Sequence, residues 1–423
     1  MKRLPIAIVF ALATQLAPSL HAQDNILDLT ALANYAAQTK PAYITKSNTP
    51  GTNPITDAGA TLGRVLFYDK RLSRNDTVSC SSCHQQARAF GDAAIASTGV
   101  SGTTTRHTTR VINPRFGTET HFFWDERATS LENQATQPIQ NQVEMGFSGT
   151  SGDPTFSDLV LKLAAIPEYR VLFTLAFGTA TIDETKVQRA LAQFMRSIQS
   201  FDSKYDSGRA TTGDNTPFPN FTAGENAGKQ LFLNPPGPNG AGCAACHRPP
   251  EFDIDPNSLS NGIVAAIGGG TDTTNTRSPS LRDLIGPAGE SNGPFMHNGA
   301  FATLAQVVNH YNAIPANTGN LDPRLRNQNL NLTQAQKDNL VAFMQTLTGT
   351  SVYTAEKWAS PFSATSSLTL AVMSPAGARV QKNANGTATL TCKVAPGLQY
   401  QLQSSTDLLT WTTQGNLTPD VSG

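Results

Sequence analysis

The chain has little of what would mark a nucleic-acid-binding, membrane-spanning or disulfide-stapled protein. Its 31 Lys+Arg are matched by 31 Asp+Glu, a formal net charge of zero. No basic or acidic field therefore points to nucleic acid or an anionic membrane surface as a partner. After the first 22 residues no apolar run approaches the ~20 residues that a membrane-crossing helix needs. Cysteine is scarce, five in 423 residues, and short motifs use four of them, leaving Cys392 alone. Apolar residues, at 39%, suffice for cores, while 33 Gly and 26 Pro point to much loop. The length suits two or three domains.

The first 22 residues read as an export signal. Lys2 and Arg3 open it, Ile6 to Leu16 form an apolar run too short to span a bilayer, and Leu20-His21-Ala22 makes a small-residue exit. The expected location is the periplasm, with no membrane span.

The cysteines carry the chemistry. Cys80-Ser-Ser-Cys83-His84 and Cys243-Ala-Ala-Cys246-His247 both have the Cys-x-x-Cys-His spacing of covalent haem attachment. Two thiols add to the haem vinyl groups and the adjacent His ligates the iron. Redox Cys-x-x-Cys couples would leave the two histidines unexplained. A zinc tetrathiolate would need distant pairs to converge, although each pair already has its own His.

The motifs sit in a repeat. Ala58-Gly-Ala-Thr-Leu-Gly-Arg-Val-Leu-Phe67 precedes the first and Ala223-Gly-Glu-Asn-Ala-Gly-Lys-Gln-Leu-Phe232 the second. Leu191–Ile198 and Leu340–Leu347 close the halves as amphipathic helices. Further helices are expected around Phe156–Ala165 and Val187–Phe201, and Thr211 to Asn220 reads as linker. After about Ser360, Ala388, Leu390, Cys392 and Val394 alternate with polar residues, and Asn385-Gly386 signals a hairpin. Cys392 falls on the apolar face, as a core thiol would. The expected fold is mainly α: two cytochrome c-like haem domains from an internal duplication, with a small C-terminal β module. Its boundaries are 1–22 (signal), 23–210, 221–358, and 365–423, the last β-sandwich-like and incomplete.

With the motifs placed, residues of roughly 50–350 resemble the bacterial di-haem cytochrome c peroxidase family, including its MauG-like branch. The resemblance rests on Cys80–Asp92, Phe123–Met145, Arg277–Leu284 and Pro294–Tyr311. In that family the N-terminal haem binds peroxide and the C-terminal haem relays electrons. The resemblance implies two covalently bound haem c groups, with His84 and His247 as proximal ligands. It implies that Trp124 lies between the haems, that Gln134, Pro138 and Glu144 line the peroxide pocket, and that Arg277 contacts cofactor. Heterolytic O–O cleavage independently calls for an acid/base beside an open iron, a role suited to Glu144. Without the resemblance, Glu144 would read as a solvated carboxylate and Trp124 as a core aromatic.

Three departures refine the reading. Ser97 to Gly102 holds no His where family members needing reductive activation place a displaceable one. His107 replaces an Asn that often helps bind calcium, which weakens the case for that ion, with carbonyls near Asn292 and Pro294 as remaining ligands. Tyr311 stands fourteen residues after His297, where the family often has Met and the MauG-like branch Tyr. Tyr311 is thus preferred over Met296 and His310 as the second haem's distal ligand. A tyrosinate would lower that haem's potential relative to a thioether.

The leading expectation is a peroxidase-type oxidoreductase acting on hydrogen peroxide, with a small redox protein as donor. One alternative is MauG-like oxidation of a protein substrate's side chain. The other is a non-enzymatic electron carrier, which needs two six-coordinate haems where a peroxidase needs one open site.

Overall fold

A computed structural model describes residues 26–277, 279–314, 320–385, 387–405, 409–417 and 419. The signal at 1–22 and the turn residue Gly386 lie outside the described residues. Helices dominate, joined by long irregular loops and a few two-stranded sheets. No helix among the described residues is long and apolar enough to cross a membrane. By their contacts the residues form two compact units. One comprises 33–163 and 182–360, so both motif-bearing halves lie within it. The other comprises residues before 33, 164–181 and those after 360.

In the larger unit each half is built on a helix pair. Asp57–Tyr68 packs against Glu184–Ser197, and Ala223–Leu233 against Gln334–Gln345. Caps fix where the first members start. Thr56 Oγ1 accepts from Gly59 N at 2.9 Å, and Thr222 forms a capping box with Glu225. The repeat's glycines explain the pairing. A Cβ on Gly63 would lie 2.0 Å from the Ala190 carbonyl oxygen, and one on Gly228 1.8 Å from that of Asn339. Both contacts are with backbone, which cannot swing aside. Gly63→Ala and Gly228→Ala should each cost at least the ~1–3 kcal/mol typical of overpacking. Urea or thermal unfolding checks this, and a melt matching the parent's would refute the packing argument.

The Leu-Phe that ends each repeat segment supplies the core. Phe67 packs on Phe194 and Phe90, at ring-centroid distances of 5.2 and 6.0 Å. Phe232 does the same with Phe343 and Phe252, at 5.2 and 5.8 Å. The basic position of the repeat reaches backbone in both halves: Arg64 Nε donates to Ala359 O, and Lys229 Nζ to Thr216 O, each at 2.6 Å. That second bond ties the Thr211 to Asn220 stretch, read as a linker, to the helix that follows it. Phe218 is 1% exposed and sits under the Lys229 ammonium, a single buried anchor in a stretch whose other residues are mostly exposed. Its Thr, Pro and Gly set turn geometry; they say nothing about burial.

In the smaller unit Ile26–Asp28 pairs in parallel with Thr369–Ala371. Met373–Lys382 pairs with Ala388–Val394, and Tyr400–Ser404 with Thr412–Leu417, both antiparallel. The Tyr400 hydroxyl donates to the carbonyls of Val372 and Ala395, at 2.9 and 3.0 Å. Cys392 is only half-buried, not a core thiol as expected. A two-stranded sheet offers its apolar face too little cover.

Candidate functional site

The first motif is one helical turn, Cys80–Cys83, opened by Ser79, whose N–H donates to Ser82 Oγ at 3.0 Å. His84 follows outside the helix, and its Nδ1 lies 3.0 Å from the Phe90 carbonyl oxygen. Ala89 and Phe90 take left-handed backbone angles, φ +52° and +56°, which turn that carbonyl toward the ring. Such strained residues gather where geometry is being imposed. Burial lowers the His84 pKa, so the imidazole is neutral. With Nδ1–H donating to Phe90, the lone pair sits on Nε2, the tautomer a metal needs. Burial pushes the Cys80 thiol up to about 12 and the Cys83 thiol up to about 11. Redox-active Cys-x-x-Cys thiols run the other way, toward low pKa.

These three residues line a cleft of about 1400 Å³, counting space open to solvent. Gln134, Pro138, Glu144 and Arg277 line it as well. Gln134 and Pro138 are four apart on the Leu131–Gln140 helix and so share a face. Ser130 caps that helix, its Oγ accepting from Asn133 N at 3.0 Å. Pro138 has no N–H to give the Gln134 carbonyl, which loosens the ladder on the cleft side.

Glu144 follows the helix in a turn shaped by Asn141, whose Oδ1 accepts from Val143 N and Glu144 N at 2.9 and 3.1 Å. Ser97 to Gly102 closes on this turn: Val100 N donates to Glu144 O at 3.1 Å and Ser101 N to Val143 O at 3.3 Å. A Cβ on Gly99 would fall 2.1 Å from Val143 O, so glycine is what permits the approach. The segment without the displaceable His is thus the one that seats Glu144. Burial raises the Glu144 pKa, partly offset by the Arg127 charge. Its charge in turn acts on both Cys80 and Cys83.

Arg277 brings a cation from the other half. It lies over the Phe122 ring at 4.9 Å, and its Nη1 is buried without a partner. A buried guanidinium nitrogen facing a cleft suits an acidic group on a bound cofactor. Trp124 stands outside the cleft wall. Its carbonyl accepts from Arg277 N at 3.1 Å, its Nε1 donates to His107 O at 2.7 Å, and its ring meets His297 at 6.2 Å. Phe123 and Glu126, at φ +72° and +57°, make the turn that presents it. His107 Nδ1 is occupied by the Ala94 carbonyl at 2.9 Å.

The second motif is a 3-10 turn, Cys243–Ala245, followed by Cys246 and His247. His247 sits in a two-residue ladder opposite Ile254, and burial, more than the Arg324 charge, lowers its pKa to about 4. Its Nδ1 is buried without a partner. Burial also pushes Cys243 up to about 12. Tyr311, on the Leu304–Asn312 helix, has its phenol pushed up to about 12 by burial. Cys246 and Cys243 act electrostatically on that phenol, so Tyr311 lies beside the second motif. Asn261, which sequence patterning does not single out, joins the three rival ligands. Its Nδ2 lies 3.3 Å from Tyr311 Oη and 3.2 Å from Met296 Sδ, and its carbonyl accepts from His310 Nε2 at 2.8 Å.

Both donor sets fit covalent haem. Each has two neutral thiols, a neutral imidazole and orphaned buried nitrogen nearby (Arg277 Nη1, His247 Nδ1). All five cysteines are free of disulfides. Among the described residues no three His, Cys, Asp or Glu side chains gather as a metal cluster.

A family profile for di-haem cytochrome c peroxidase matches residues 57–215. The methylamine utilization protein MauG of Methylophilus methylotrophus is 32% identical over 309 residues, 71% of this chain and 85% of its own. The cytochrome c551 peroxidase of Nitrosomonas europaea is 28% identical over 334 residues, 75% of this chain and 87% of its own. Among solved structures, a MauG-like protein associated with microbial copper homeostasis aligns with a TM-score of 0.61 at 29% identity. That alignment covers 76% of this chain and 98% of the other.

Proposed function

This chain belongs to the di-haem cytochrome c peroxidase family and is an oxidoreductase with two covalently bound haem c groups, and from that premise we propose that it reduces hydrogen peroxide in the cleft at His84. The observation that carries the proposal is the cleft itself, where Cys80, Cys83 and His84 share a wall with Gln134, Pro138 and Glu144. The haem bound there supplies the redox centre for the two-electron reduction of peroxide to water. Everything else falls to the chain. His84 and His247 would hold the two irons through Nε2, and Arg277 Nη1 would anchor a haem carboxylate. Gln134 holds peroxide by hydrogen bonding, with Pro138 beside it shaping the wall. A Glu144 carboxylate oxygen takes a proton from one peroxide oxygen and returns it to the departing one.

The second haem would supply the electron-relay chemistry, and Trp124 would connect the two halves. Its backbone bond to Arg277 and its ring contact with His297 support that role. The matched helix pairs and their glycine contacts support an internal duplication, and the paired strands after residue 365 support a separate C-terminal β module. The donor is a small redox protein, and the site of action the periplasm.

A second reading has its own observation. Tyr311 beside Cys243 and Cys246 favours MauG-like oxidation of a protein substrate, because a tyrosinate ligand lowers a haem's potential and makes it a poor acceptor from high-potential donors.

One experiment separates peroxidase from carrier. Ser97 to Gly102 offers no His to close the first haem, so the fully ferric protein should show one high-spin haem. It should react with peroxide without prior reduction, as followed by EPR and stopped-flow absorption. Two low-spin haems, with reactivity only after half-reduction, would overturn the open-site reading.

A further inference from the structure

Tyr311, Met296 and His310 all converge on Asn261, a loop residue that belongs to none of the motifs. Its two side-chain N–H groups have two acceptors, Tyr311 Oη at 3.3 Å and Met296 Sδ at 3.2 Å. Its backbone carbonyl receives His310 Nε2 at 2.8 Å. The amide's orientation is fixed from the other end, because Asn261 Oδ1 accepts from Ile263 N at 3.1 Å. A flipped amide would lose that bond and present an N–H group to the Ile263 N–H. Gly262, at φ +85°, makes the turn possible, and a Cβ there would press within 3.2 Å of Ile314 Cγ2.

We infer that Asn261 is the positioning residue that selects the second haem's distal ligand, steering the Tyr311 oxygen to the iron and holding the Met296 sulfur back. This rests on the proposed reading of Tyr311 as that ligand. The selection follows from what each acceptor gains. An N–H bond to an oxygen bearing negative charge is roughly twice as strong as one between neutral groups. A thioether is only a weak acceptor, so the same donor gains little there while still occupying the sulfur. Coordination as tyrosinate therefore strengthens one Asn261 bond, whereas coordination by Met296 breaks the other with nothing in return. His310 is limited for a separate reason. Its Nε2 carries the proton donated to Asn261 O, which leaves only Nδ1 with a lone pair for a metal.

The test uses the holoprotein in its ferric state, read by absorption, EPR and spectroelectrochemical titration of the second haem. Asn261→Asp keeps an oxygen for Ile263 N–H but removes both donors and places a negative charge beside the phenol. It should lose part or all of the phenolate-to-iron charge-transfer signature, gain a thioether-type low-spin signal, and show a higher midpoint. Adding Met296→Ala to that variant should abolish the new signal. Asn261→Ser, smaller and uncharged, should move in the same direction by less, and it serves if the Asp variant does not fold. Tyr311→Phe separates the two possible failures. If it changes the spectrum while both Asn261 variants match the parent, Asn261 has no selecting role and the inference is wrong. If Tyr311→Phe itself changes nothing, Tyr311 is not the ligand, and the underlying reading fails along with the inference.

Discussion

Glu144→Gln should slow the reaction with hydrogen peroxide by roughly 10²-fold or more, the scale of a lost acid/base, while both resting haem spectra stay as in the parent. The side chain keeps its size and can still hydrogen-bond, so peroxide should still reach the cleft. What is lost is the oxygen that takes a proton and gives it back. Burial raises the Glu144 pKa, so its carboxylate form is lost as pH falls through a value above the ordinary range. Peroxide reactivity of the parent should fall along that limb, and the Gln variant should lack the limb. The stability effect has the opposite sign from a structural lesion. A carboxyl whose folded pKa is raised contributes stability below its unfolded pKa and loses it as pH rises through the folded value. At neutral pH the uncharged Gln should therefore be at least as stable as Glu. Stopped-flow rates across pH, beside a thermal melt, decide. A rate near the parent's would remove Glu144 from the chemistry.

Tyr311→Met should raise the second haem's midpoint potential and leave the first haem's peroxide reactivity in place. Met/His ligation raises haem potentials, whereas an anionic phenolate stabilises ferric iron. Axial ligands and surroundings move haem potentials over ~0.8 V, so a rise on the order of 0.1 V or more is expected. Spectroelectrochemistry measures it directly. If the second haem's spectrum and potential do not change, Met296 or His310 must be its ligand. The two substitutions read out on different haems, which makes the division of labour itself testable.

Whereas Gln134 and Pro138 came only with the family resemblance, the attachment motifs and the repeated helical segments could be read from spacing alone. So could the alternation in Ala388–Val394, since burial swings from exposed Thr391 and Lys393 to buried Val394. Asn261 could not be found that way. Asn occurs in any loop, and its partners Met296, His310 and Tyr311 lie tens of residues away, brought to it only by chain folding. The Phe90 carbonyl that sets the His84 tautomer was equally hidden, because every residue has a carbonyl and only left-handed angles at Ala89 and Phe90 aim this one. Gly99 reads as loop punctuation until the backbone of Val143 is seen 2.1 Å from where its Cβ would be.

By itself the sequence determined what depends on neighbours along the chain: Cys-x-x-Cys-His, the helical periodicity and the glycines four apart. Those features act over a turn or two of backbone, so spacing carries them whole. Tertiary structure alone decided that Ser97 to Gly102 seats Glu144, that Arg277 reaches the first cleft from the other half, and that one amide holds both Tyr311 and Met296. Each of these is a contact between distant loops, and it exists only because paired helices and buried rings hold those loops within hydrogen-bonding reach.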